Sequence, residues 1–264
     1  MTVAEAIDLA RRLLDEGNLD AALGTLLKTS EEHTDPDLDL EIALVYTERG
    51  LGKPDDEAMK DFAEAESWSE LPLTMAGRAG VLVRRGDPAE AEKLLARALE
   101  LDGEMPEALL GTARLRLAQE RVEEAGEMAT RAVQSSPRSG AAWSFLAEVL
   151  ERVGRKDEAL RALEEGLKYD PGNDALLAAL GCRYAALEDP QTAARAFRRA
   201  VAINPANAEA WRGLALAGAN AGNETGVHEA LGRAMELDPK GTQQWLEEVK
   251  KKQPLLGTVA GDLS

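Results

Sequence analysis

The sequence predicts an all-α protein made of stacked helical hairpins, and three observations carry that expectation. Trp143, Leu146, Ala147 and Leu150 fall at spacings of 0, 3, 4 and 7, which places them on one stripe of a helix. Ala159, Leu163, Gly166 and Tyr169 mark a second stripe after the break at Gly154. The same pair of stripes returns 34 positions later as Leu177, Leu180, Gly181 and Tyr184, then Ala193, Phe197, Ala200 and Ile203, and Trp211 opens a third copy. Each pair closes with turn chemistry, Asp170-Pro171-Gly172-Asn173 and Asn204-Pro205-Ala206-Asn207, because proline cannot continue a helix interior. The wealth of Ala, Leu, Glu and Arg favours helix throughout.

Trp143, Leu146, Ala147, Leu150, Gly154, Ala159, Leu163, Gly166 and Pro171 sit where the tetratricopeptide repeat pattern places its signature residues, and the chain resembles that family. The resemblance implies a right-handed α-solenoid of about seven helix-turn-helix repeats plus a C-terminal capping helix. It also implies a non-catalytic interaction scaffold or adaptor, with a peptide or helix of a partner lying on the concave inner face. Which partner is served does not follow from such a fold.

Taken in order, the repeats span about 3–36, 37–71, 72–105, 106–139, 140–173, 174–207 and 208–241. The first shows Ala6, Leu9, Ala10 and Leu13, a break at Gly17, then Ala22 and Leu26. The second is irregular: Ala58, Phe62 and Ala65 fit, but Arg49-Gly50-Leu51-Gly52-Lys53-Pro54 is about two residues longer than the pattern allows. Trp68 is expected to cover the junction with the third repeat, which carries Met75, Ala79, Leu82, Gly86, Ala91, Leu95, Ala98 and Leu101. The fourth has Leu109, Ala113, Ala125, Ala129, Ala132 and Pro137; the seventh has Trp211, Leu214, Ala215, Gly222, Val227, Leu231, Ala234 and Pro239. Residues 242–253 read as a capping helix, with Trp245, Leu246 and Val249 inward and Glu247, Glu248, Lys250 and Lys251 outward. Residues 254–264 show glycine, proline and no helical stripe, and read as a mobile tail, although Leu255, Leu256 and Val259 make it apolar enough to dock in a groove.

The net charge is −17, and residues 1–71 hold 19 acidic against 6 basic residues. Such an end repels phosphate backbones, which disfavours nucleic acid as a partner. Cys182 is the only cysteine, so no internal disulfide is possible and nothing points to an oxidising compartment. No run reaches the roughly 20 apolar residues of a membrane span. Together with an amphipathic Met1–Leu14 lacking signal-peptide features, this gives the expectation of a cytoplasmic protein; the Ala and Arg enrichment is compatible with a bacterial source.

His33 and His228 lie far apart without metal-ligand spacing, and no phosphate loop, nucleophile elbow or zinc motif is present. No catalytic residue, cofactor or metal is expected. Binding has better support, since the first helix of each repeat carries a second face. Under the resemblance this face lines the groove. It presents Leu73, Ala76, Gly80, Val83 and Arg84, then Glu107, Leu110, Arg114, Leu117 and Ala118. Ala141, Ser144, Glu148, Glu151 and Arg152 follow, then Ala175, Ala178, Cys182, Ala185 and Ala186, and finally Glu209, Arg212, Leu216, Ala219 and Asn220. The groove residues singled out are Val83, Arg84, Leu110, Arg114, Leu117, Ser144, Glu148, Cys182 and Arg212. The paired lysines and asparagines with which the family clamps a terminal carboxylate are missing, but arginine forks at 84, 114 and 212 suit acidic groups.

Arg78 and Arg116 occupy stripe positions expected to be large and apolar. A buried guanidinium needs a partner, for which Glu41 or Glu48 is available; otherwise both arginines turn to solvent. Two alternatives to the adaptor reading are an end-to-end homo-oligomer, with the acidic amino-terminal end meeting Lys250–Lys252 of another copy, and an accessory subunit of an enzyme.

Overall fold

A computed structural model describes residues 1–262, and among them it contains 16 helices and no strand. The chain divides into two compact units, Met1–Ser135 and a second beginning at Ser136. The first holds α1 (Val3–Asp15), α2 (Leu19–Ser30), α3 (Pro36–Leu51), α4 (Asp55–Trp68), α5 (Pro72–Arg85), α6 (Pro88–Leu101), α7 (Pro106–Ala118) and α8 (Val122–Ser135). The second holds α9 (Gly140–Arg152), α10 (Lys156–Tyr169), α11 (Asp174–Ala186), α12 (Pro190–Ile203), α13 (Ala208–Asn220), α14 (Glu224–Leu237), α15 (Pro239–Val249) and α16 (Pro254–Asp262). Successive pairs from α1/α2 to α13/α14 form seven hairpins. Within each unit, the first helix of a hairpin packs on the second helix of the one before it.

Local chemistry sets the boundaries. Thr2 and Glu5 form a reciprocal capping box at α1, and the side chains of Asn18, Asp87, Ser139, Asn173, Asp189, Asn207, Asn223 and Asp238 accept from backbone N–H groups of later helices. Proline begins α3, α5, α6, α7, α12 and α15, where no N–H is needed. The first helices of several hairpins end in a left-handed residue, glycine at 86, 154 and 222 but glutamate at 120 and 188. Between paired helices, small side chains such as Ala79, Ala91, Ala98, Ala113, Ala193 and Ala200 are fully buried and let the backbones approach closely.

Three departures from the sequence reading have physical causes. The extra residues of the second hairpin lengthen α3, which runs through Gly50 to Leu51. Trp68, at the end of α4, packs with Leu71 against the apolar cluster of α1–α4 around Ala10, Leu26, Ile42 and Ala65. Arg78 and Arg116 are drawn neither to solvent nor to Glu41 or Glu48. Arg78 binds Glu66 at 2.5 Å, and Arg116 binds Glu92 at 2.7 Å, because carboxylates on the neighbouring second helices stand nearer. Glu41 instead receives a forked pair from Arg11 at 3.0 and 3.1 Å. Finally, residues 254–262 are not a loose tail but α16, whose Leu256 and Val259 are buried with Ala215, Ala219, Val227, Leu231 and Leu246; residues 263 and 264 lie outside the described residues.

Candidate functional site

The first unit gathers its candidate residues at the junction of α3, α4, α5 and α7. α4 drives the Phe62 ring between α3 and α5, where it is 1% exposed. Room for the ring exists because Gly50 and Gly77 face it: a Cβ on either glycine would stand 2.8 Å from a ring carbon. Thr47 and Thr74 tie α3 to α5 through a buried hydroxyl hydrogen bond of 2.5 Å. Above Phe62 the helices do not close. A cavity of about 490 Å³ remains, lined by Leu51, Ala58, Phe62, Leu73, Ala76, Gly80, Val83 and Leu110, with Lys53, Arg84, Glu107 and Arg114 contributing polar groups.

The charged residues around it are organised from behind. Arg49 donates to Asp61 through Nε at 3.0 Å and Nη2 at 2.7 Å, reaches Asp20 through Nη1 at 2.8 Å, and lies 5.1 Å from the centre of the Tyr46 ring. Lys53 also contacts Asp61, at 3.1 Å. Burial alone would raise the Asp61 carboxyl, but hydrogen bonds from Arg49 and Lys53 hold it below the usual aspartate range. Arg84 donates to the Asp55 carboxylate from Nε at 3.1 Å and from Nη2 at 2.5 Å. This hydrogen bonding to Arg84 also holds Asp55 below its ordinary value.

Of the residues singled out in the sequence, Val83, Arg84, Leu110 and Arg114 therefore line one cavity. Leu117 is buried in α7 and is not among its lining residues. Ser144, Glu148, Cys182 and Arg212 belong to the second unit. There Glu148 pairs with Arg152 at 3.3 Å one turn along α9, and Arg212 donates to Asp238 at 2.9 Å. The Cys182 thiol is pushed up to about 11, mainly by burial and then by Glu209 nearby, which keeps it protonated near neutrality and poorly nucleophilic. The sequence reading missed Leu51, Ala58 and Phe62. The over-long segment around Gly50 was the one signal that could have found them.

His33 and His228 are both exposed, in the connection between α2 and α3 and on α14. No group of three or more His, Cys, Asp or Glu among the described residues is placed to hold a metal ion. No helix among them is long and apolar enough to cross a membrane.

Comparison with known proteins gives a consistent picture. Two family profiles described as tetratricopeptide repeat match residues 77–140 and 178–226, and residues 116–181, which together span 77–226. Anaphase-promoting complex subunit 3 of Schizosaccharomyces pombe is 23% identical over 115 residues, which are 44% of this chain and 17% of that protein. A crystal structure of the APC/C hetero-tetramer Cut9–Hcn1 superposes with a TM-score of 0.66 at 16% identity, over 82% of this chain and 42% of the other. A tetratricopeptide repeat protein of Parabacteroides merdae ATCC 43184 gives 0.64 at 16% identity, over 98% of each chain. The chain thus spans less than half the length of the first two relatives, and at these identities the structural likenesses establish the fold.

Proposed function

This chain belongs to the tetratricopeptide repeat family, and we propose that it is a protein-interaction scaffold that holds a segment of a partner polypeptide against the inner helices of its first unit. The observation that carries this reading is the open, largely apolar cavity at the junction of α3, α5 and α7. Apolar surface left uncovered in a helical stack is a binding resource rather than a packing one. α3 extends the surface with Leu40 and Leu44, 39% and 38% exposed, and with Leu51, 53% exposed at the cavity. These three share a stripe at helical spacing. The name of one relative, a subunit of the anaphase-promoting complex, fits a protein whose work is positioning other proteins. The role requires no chemistry of the chain's own.

Photo-crosslinking tests the reading. A benzophenone side chain at Leu44 or Leu73, on the inner helices, is expected to capture a partner in lysate of the source cells. The same group at Lys60 on α4 is expected to capture none. Cross-links from Lys60 with none from Leu44 or Leu73 would move the partner surface off the inner helices.

A further inference from the structure

Gly24 and Gly80 are helical glycines of the first unit for which packing gives no reason, and of the two Gly80 lines the cavity. Gly77 and Gly111 are explained by packing, since a Cβ would stand 2.8 Å from Phe62 and 2.7 Å from Leu95 respectively. At Gly80 the one heavy atom within 4 Å of such a Cβ is Arg84 Nη1, at 3.8 Å, and the backbone is ordinary α-helix. Neither sterics nor a left-handed conformation asks for glycine in mid-helix, where it is less favourable than alanine. Glycine there leaves that part of the cavity lining without a side chain. The space, about 490 Å³, is within the range of pockets that enclose small ligands.

Arg84 supplies the second half of the site. Its Nε and Nη2 are fixed on Asp55, which sets the plane of the guanidinium and leaves Nη1 beside Gly80 at the cavity. A donor already oriented in this way loses little freedom when it takes another acceptor.

Resting on the scaffold reading above, we propose that this cavity is a specificity site. It takes one long apolar side chain, of leucine size or larger, from the partner segment, while a neighbouring carboxylate of that segment accepts from Arg84 Nη1. Phe62 forms the floor, Leu73 and Leu110 the apolar walls, and Gly80 the opening. The carboxylate requirement follows from Arg84, whose Nε and Nη2 are held by Asp55 while its Nη1 stands beside Gly80 in the cavity lining.

The test uses the full ¹⁵N-labelled chain and three defined probes: the N-acetyl amides of Leu-Glu, Leu-Gln and Ala-Glu. Leu-Glu is expected to shift the amide signals of Gly77, Gly80 and Arg84 saturably. Leu-Gln and Ala-Glu should bind roughly fivefold more weakly, about the worth of one exposed charged hydrogen bond or of a partly buried side chain. Gly80→Leu should abolish the shifts while leaving the helical circular dichroism intact, Gly80→Ala should weaken them, and Arg84→Gln should erase the preference for Leu-Glu over Leu-Gln. Shifts that do not saturate, or that survive in Gly80→Leu, would overturn the proposal. Failure here with continued cross-linking from Leu44 or Leu73 rejects this cavity and spares the scaffold; loss of both rejects both.

Discussion

Gly77 and Gly80 stand less than one turn apart on α5 and respond in opposite ways to an added methyl group. At Gly77 the new Cβ would press on the Phe62 ring at 2.8 Å, and overpacking of this kind costs about 1–3 kcal/mol. At Gly80 it meets only Arg84 Nη1, at an ordinary contact distance of 3.8 Å, and the helix gains about 0.5–1 kcal/mol. Urea unfolding of Gly77→Ala and Gly80→Ala should therefore displace the midpoint down and up respectively. Equal effects would mean that the cavity above Phe62 is not open.

Asp61 makes a second residue-scale prediction. Its carboxyl titrates below the usual range in the folded chain, whereas an unfolded aspartate titrates near 3.9, approximately. The unfolded state therefore binds the proton more readily. The stabilisation is fully present above the unfolded value and is lost as pH falls through the folded one. Asp61→Asn should flatten the loss of stability on the acid side. At pH 7 it should cost about 2 kcal/mol, less than the roughly 3–5 kcal/mol of a fully buried pair, because Arg49 keeps 21% of its side chain exposed. Unfolding curves at neutral pH and in mild acid decide the matter, and an unchanged acid limb would remove Asp61 as the group responsible.

At the scale of elements, the helical hairpins were legible because their stripes recur every 34 residues and because glycine, asparagine, aspartate and proline mark the ends. α16 was not. Its buried stripe comprises Leu256 and Val259 alone, and Pro254, Gly257 and Gly261 dilute the pattern with residues that usually signal a loop. What makes it a helix is the apolar end face of α13 and α14, a tertiary effect that short-range pattern cannot carry. Truncation after Gln253 should uncover Ala215, Ala219, Val227 and Leu231, lower the thermal midpoint and produce concentration-dependent association by sedimentation. A truncated chain as stable and as monomeric as the full one would show that α16 contributes no cover. The partners of Arg78 and Arg116 were missed for a related reason. Their stripe positions were plain, but the carboxylates that reach them belong to second helices, at Glu66, Glu92 and Glu124, whose facing in space a single stripe does not give.

For the whole molecule, the cavity depends on four helices from three hairpins and on a two-residue irregularity between them. The cavity-lining positions Val83, Arg84, Leu110 and Arg114 were readable from the repeat, whereas the floor at Phe62 required the fold. The uneven charge bears on the alternative of end-to-end assembly. Lys250 is engaged by Glu247 at 2.5 Å, while Lys251 and Lys252 are exposed. If copies joined through these lysines and the acidic amino-terminal residues, added salt would dissociate them. The scaffold reading predicts sedimentation of the full chain that is the same at low and at physiological salt.

The central claim is that the inner face of the first unit receives a partner through the opening kept by Gly80. Its most direct measurement is quantitative capture from source-cell lysate by the wild-type chain and by Gly80→Leu, with thermal melting of both proteins in parallel. The account predicts that the substituted chain melts no lower than the wild type and loses the captured partner. A stable Gly80→Leu chain that captures the same partner in the same amount would contradict it.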